Sequence, residues 1–113
     1  MVKEIELPEL YVEALNSIRA SLSKEKNMFS EVRLFGSCAK GSFSACSDLD
    51  ILILTKEKLT DREKRGYIRE LIDNAISQYN LESDVVFYTV YDFEHDQSDF
   101  TKSIQDSFIL IKN

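Results

Sequence analysis

The sequence predicts an α/β (α+β) fold: a mixed sheet of three strands, four if the C-terminal tail adds one, flanked by helices. Three observations predict it. Short runs rich in β-branched, leucine and aromatic residues, at 32–35, 51–54 and 85–87, alternate with stretches whose apolar residues recur at helical spacing. The longest helical stretch lies between the second and third runs, so those two strands are expected to be parallel and joined by a right-handed crossover. Finally, Gly36-Ser37 closes the first run, while Asp48 and Asp50 open the second and Asp84 opens the third. For the Gly-Ser pair to reach the carboxylates, the first strand must run antiparallel to the second, and the sheet is then mixed.

The first helix is expected from Pro8 to about Leu22, because Leu7, Leu10, Ala14, Leu15, Ile18 and Leu22 share one helical face and proline suits a first turn. Residues 23–30 are polar and read as a loop. Residues 31–35 form the first strand, and a short helix is expected from Ser37 to about Ser42. Residues 48–55 form the second strand, whose near-continuous apolar run predicts burial on both faces. Thr60 is expected to cap a helix over residues 61–79, with a core stripe of Tyr67, Ile68, Leu71, Ile72, Ala75, Ile76 and Tyr79. The third strand is expected at 83–89. Beyond it, Phe100, Ile104 and Phe108 suit a last helix, and residues 108–111 suit a short strand instead.

Composition sets the outer limits. The 113 residues fit one domain spanning 1–113, with 43% apolar and 30% charged residues. No apolar run has the length of a membrane span, and residues 1–13 carry no secretory pattern, so a cytoplasmic protein without membrane contact is expected. Twenty acidic against fourteen basic residues give a net charge of −6, which disfavours direct nucleic-acid binding. Cys38 and Cys46 have no further ligands at zinc spacing. A disulfide across so short a loop is not expected in the cytosol, and both read as small packing residues.

The chemistry-bearing residues surround the first two strands. A strand has a side-chain period of two, so Asp48 and Asp50 project from one face. Two ionised carboxylates that close repel each other unless a cation lies between them, and a hard ion such as Mg2+ prefers oxygen ligands. The parallel crossover brings Asp84 to the same sheet edge. Gly36 removes a Cβ where the chain turns, and Ser37 offers a hydroxyl and an amide to an oxyanion. A P-loop is excluded, because Ser42 stands where that motif needs lysine. His95 is isolated among polar residues and reads as a surface residue. Tyr88 and Tyr91 suit base stacking, but aromatics near a strand end belong more often to the core.

Gly36-Ser37, ten residues, then Asp48-x-Asp50 resembles the signature of the DNA polymerase β-like nucleotidyltransferase superfamily. Gly36-Ser37-Cys38-Ala39-Lys40-Gly41 is similar to that family's Gly-Ser-x-Ala-Arg-Gly, with Lys40 in place of the usual arginine. The resemblance implies that Gly36, Ser37 and Lys40 bind the nucleotide phosphates. It also implies that Asp48, Asp50 and Asp84 are catalytic and hold two Mg2+ ions. The small size resembles the minimal nucleotidyltransferases (MNT), which are commonly paired with a HEPN ribonuclease in toxin–antitoxin systems. The implied activity is transfer of AMP from ATP to a hydroxyl of a HEPN-type partner, tyrosine by analogy, with release of pyrophosphate. Two alternatives remain open: adenylylation of a small hydroxyl compound such as an antibiotic, and a non-catalytic antitoxin acting by contact.

Overall fold

The computed structural model describes residues 8–25, 29–41 and 48–112. Leu7, Ser42 and Cys46, each part of an expectation above, lie outside the described residues. The first helix, α1 (Glu9–Leu22), starts at Pro8, whose carbonyl accepts the amides of Tyr11 and Val12. It buries Ala14, Leu15, Ile18 and Leu22 of the stripe expected from the spacing, whereas Leu10 in its first turn is 44% exposed. Strand β1 (Glu31–Phe35) runs into α2 (Gly36–Ala39), and β2 (Asp48–Thr55) is buried on both faces from Leu49 onward, apart from half-buried Asp50.

The crossover helix α3 (Arg62–Ile76) buries Ile68, Ile72 and Ile76. Its cap is Asp61 rather than Thr60: the Asp61 side chain accepts the Glu63 amide at 2.9 Å. A carboxylate at the positive end of the helix both caps and complements the dipole, so the start moves one residue along. The helix tightens into a 3-10 turn at Ser77–Tyr79 and stops at Asn80, which takes the left-handed conformation that asparagine tolerates (φ 56°).

Strand β3 (Glu82–Thr89) begins one residue before the expected start. The tail then resolves into three elements. Helix α4 (Val90–His95) is capped by Thr89, α5 (Asp99–Asp106) is capped by Ser98, and β4 (Ile109–Lys112) follows. The choice between a last helix and a last strand is therefore answered by both. Helix α4 was not foreseen, because it buries only Phe93, and one residue has no periodicity.

The sheet order is β3-β2-β1-β4, with β2 and β3 parallel, β1 and β2 antiparallel, and β1 and β4 antiparallel. The mixed sheet expected from the sequence is thus present, with the fourth strand. One face packs on α1 and α3 through Val32, Leu34, Leu49, Ile51, Ile53, Val85 and Ile111. Arg19 of α1 donates its Nε to the Ile111 carbonyl at 2.6 Å, which ties that helix to the edge strand. The other face packs Leu52 and Leu54 against Phe93 of α4 and Ile104 of α5. Among the described residues no helix is long and apolar enough to cross a membrane.

Cys38 is buried, at 1% exposure, and in this respect packs as expected. It is nonetheless disulfide-bonded, which corrects the reading of a reduced residue there. Separation along the chain does not set the distance between Cα atoms, and that distance decides whether a bridge can close.

Candidate active site

Alternation along β2 sorts its residues cleanly. Leu49, Ile51 and Ile53 face α1 and α3, so Asp48, Asp50, Leu52 and Leu54 face the α4–α5 side. Cross-strand partners share a face, and this places Asp84, Asp50 and Phe35 in one row across β3, β2 and β1. The next row is Val86, Leu52 and Arg33, followed by Tyr88, Leu54 and Glu31. Helices α4 and α5 cover the face from the Leu52 row onward. The Asp50 row is half-open, and Asp48 is exposed.

Asp50 is the centre of this arrangement. Its carboxyl is pushed above its ordinary value of 3.8, first by partial burial, then by the charge of Asp84, then by that of Asp48. The structure therefore brings together the three aspartates singled out from the sequence. Among the described residues, no group of three or more histidine, cysteine, aspartate or glutamate side chains is arranged so that it could hold a metal ion as it stands. The aspartates instead lie side by side at an open edge. Their hard oxygen donors suit a divalent ion that keeps some of its sites for water or substrate oxygens.

Gly36 adjoins this centre. It has a φ of +78°, and a Cβ there would run into the Oδ2 of Asp50 and come within 3.2 Å of its Cγ. Only glycine lets the turn from β1 into α2 approach the carboxylate this closely. Ser37 follows in α2 and is exposed. The Sγ of Cys38 lies 3.8 Å from the carbonyl oxygen of Asp48, so α2 packs beside the start of β2. Lys40 is exposed at the far end of α2, its amide donating to the carbonyls of Gly36 and Ser37 at 3.2 Å each.

Two residues of this face were missed from the sequence. Glu82 pairs with Asp48 in the sheet register and adds a fourth carboxylate to the same edge. Its signal was visible, since Glu82-Ser83-Asp84 repeats the one-residue spacing of Asp48-Leu49-Asp50. Phe100, read only as part of a helical stripe, stands at 43% exposure with its ring 5.6 Å from that of Phe35. His95 is a surface residue as expected, its Nδ1 2.8 Å from the Tyr91 carbonyl and its ring stacked on Tyr91 at 3.9 Å. Tyr91 is 66% exposed on α4, whereas Tyr88 is half-buried and packs beside Phe93. A cavity of about 340 Å3, lined in part by Glu31, Arg33, Leu54 and Phe93, lies toward the other end of the sheet from the aspartates.

Known proteins share this fold. The chain is 34% identical over 84 residues to a protein of Methanocaldococcus jannaschii provisionally named a protein adenylyltransferase, a match covering 74% of this chain and 72% of that one. Its fold resembles a chain in the crystal structure of a toxin–antitoxin with AMP-PNP, with a TM-score of 0.61 at 20% identity, covering 86% of this chain and 71% of the other. It also resembles a chain in the structure of tri-AMPylated Shewanella oneidensis HEPN toxin in complex with MNT antitoxin, with a TM-score of 0.56 at 18% identity, covering 90% and 71%. The family profile described as a nucleotidyltransferase domain matches residues 15–111, and this chain belongs to that family.

Proposed function

We propose that the protein transfers AMP from ATP to a side-chain hydroxyl of a HEPN-type partner protein, releasing pyrophosphate. The observation that carries the reading is the row at Asp50: partial burial, then Asp84 and Asp48, raise its carboxyl, and the glycine turn of α2 presses against it. Such a cluster suits a cation and a phosphate chain together. Two bound Mg2+ ions would supply charge neutralisation on the phosphoryl oxygens and a more acidic acceptor hydroxyl.

The chain's own residues divide the remaining work. Asp48 and Asp50, one residue apart on β2, would hold the ions. Asp84, on the neighbouring strand, would complete the set and take the proton of the acceptor hydroxyl. The Gly36 turn and the Ser37 hydroxyl would bind the leaving phosphates, with Lys40 adding a single positive charge. Lysine in place of arginine gives up bidentate geometry and so holds the phosphates less rigidly.

The acceptor is assigned to a protein on three supports. One is the similarity to a provisionally named protein adenylyltransferase, and another is the likeness to a chain from a complex that holds an AMPylated HEPN toxin. The third is the open edge at Asp48, which a partner can approach directly. Docking would supply the orientation that in-line attack needs. A net charge of −6 would favour fast encounter with a basic, RNA-cleaving partner. The nucleotide-binding and antitoxin roles, and a cytoplasmic site of action, belong to the same reading.

The test is to co-express the protein with the product of the adjacent reading frame and weigh that product intact. A gain of about 329 Da per transferred AMP is expected, abolished by Asp48→Asn plus Asp50→Asn. An unmodified partner that the double variant silences equally well would establish inhibition by contact and overturn the reading.

A further inference from the structure

We infer that Phe100 is the stacking surface for the nucleobase of the nucleotide and so the chief source of grip on the nucleoside. The inference rests on the nucleotidyl-transfer reading and extends it to a residue outside the sequence motif. The ring of Phe100 is 43% exposed although two aromatic neighbours flank it: Phe35 edge-on at 5.6 Å, and Tyr88 tilted at 6.4 Å. Phe35 belongs to the row of Asp50 and Asp84, while Tyr88 lies two rows further along the face. Phe100 therefore stands at the boundary between the open carboxylate edge and the part of the face covered by α4 and α5. Folding alone favours burying such a ring, and its neighbours Thr101 and Ile104 on α5 are buried.

The geometry of in-line displacement says what belongs beside it. The leaving pyrophosphate and the attacking hydroxyl must lie on opposite sides of the reacting phosphorus. Gly36 and Ser37 follow β1 and Asp84 is on β3, so the reaction axis crosses the sheet from β1 to β3 over Asp50. The 5′ oxygen that carries the nucleoside is neither the entering nor the leaving group and must depart to the side of that axis. On one side the face ends at Asp48 and Glu82, both exposed carboxylates. On the other side stands Phe100. A planar heterocycle stacks on an aromatic face, which the carboxylate edge does not offer, so the base lies on Phe100.

The chain contains no tryptophan, so Phe100→Trp provides a unique fluorophore at the proposed contact. Its emission should change on adding Mg-ATP and stay constant on adding Mg-tripolyphosphate, which has the phosphates and lacks the base. In calorimetry, Phe100→Leu and Phe100→Ala should weaken Mg-ATP binding about tenfold, with Mg-tripolyphosphate affinity held within about twofold. Phe100→Leu keeps the apolar packing, and circular dichroism would verify the fold of each variant. Equal losses for both ligands, or a fluorophore silent to ATP that calorimetry shows to be bound, would overturn the stacking assignment and leave the transfer reading intact. A parent protein that bound neither ligand would overturn both.

Discussion

Gly36 and Asp50 occupy positions that exclude a side chain on the first. The turn that ends β1 places the Cα of Gly36 against the carboxylate of Asp50, at a φ of +78° that L side chains rarely adopt. The glycine of the motif thus has a steric cause as well as a conformational one. It brings the amides at the start of α2 and the central carboxylate together.

Gly36→Ala should therefore cost stability and displace Asp50 at once. Backbone strain at a positive φ is worth about 1–3 kcal/mol, and the overlap with Asp50 adds to it. Urea denaturation should show a loss in that range, and Mg-ATP affinity should fall with it. A Gly36→Ala variant of parental stability that bound ATP normally would mean that the turn and the carboxylate are not in contact.

Asp50 gives a pH prediction of definite sign. Its carboxyl is raised in the folded state, by burial, then Asp84, then Asp48, so the folded chain holds that proton to higher pH than the unfolded chain does. Stability contributed by the protonated form is complete below the unfolded value near 3.8 and is lost as pH rises through the folded value. At neutral pH without divalent ions, Asp50→Asn should be more stable than the parent. Because the group is only partly buried, solvent screening limits the gain to about 1 kcal/mol, or a few degrees in Tm. Millimolar Mg2+ should raise the parent's Tm and leave that of Asp50→Asn nearly unchanged if the proposed function is right that the intact cluster holds the ion. Thermal scans at pH 4 to 8, with and without Mg2+, decide both points.

How far the sequence could be read follows from the signals its residues carry. Strand β2 was legible to the residue, because an eight-residue run that turns from carboxylates to unbroken apolar residues has few other uses. The parallel crossover through α3 followed from connection chirality, and the antiparallel β1 from the need to bring Gly36 to Asp50. Asp84 was legible for the same reason, once β2 and β3 were known to run together. Helix α4 was not, since Phe93 alone has no period. Nor was the exposure of Phe100: spacing tells which residues share a helix face, not which of them a neighbouring layer leaves uncovered. The disulfide at Cys38 depends on distances that chain separation does not encode.

The covered half of the same face gives a prediction about packing. The guanidinium of Arg33 lies 4.1 Å from the centre of the Phe108 ring and 5.3 Å from that of Phe93, and its Nε donates to Glu31. It thereby joins β1 to α4 and to the start of β4. Arg33→Ala should destabilise the fold by about 1–2 kcal/mol, combining lost cation–π contact with lost stem packing. Arg33→Lys should recover only part of this, because an ammonium cannot stack as a plane. Chemical denaturation of the three proteins would rank them, and equal stability of Arg33→Ala and parent would remove the ring contacts from the account.

Asp84 separates grip on the nucleotide from chemistry. It sits across from Asp50 on β3, away from the Gly36-Ser37 turn that follows β1. A group on the acceptor's side of the reacting phosphorus has little to offer the ground-state nucleotide. In the proposed reaction it would act when the acceptor hydroxyl gives up its proton. Asp84→Asn keeps the shape and an oxygen donor but removes the charge and the basicity. Mg-ATP affinity should therefore stay within a fewfold of the parent, while transfer to the partner falls by roughly a hundredfold or more, the lower range for general acid–base catalysis. Removing a group that acts mainly in the transition state lowers turnover far more than binding, and this split is the diagnostic. Calorimetry with Mg-ATP, alongside single-turnover transfer followed by intact mass, measures both halves on the same preparation. Near-parental transfer in Asp84→Asn would remove it from the chemistry. A parallel collapse of ATP binding would make it a nucleotide-site residue equivalent to Asp48 and Asp50.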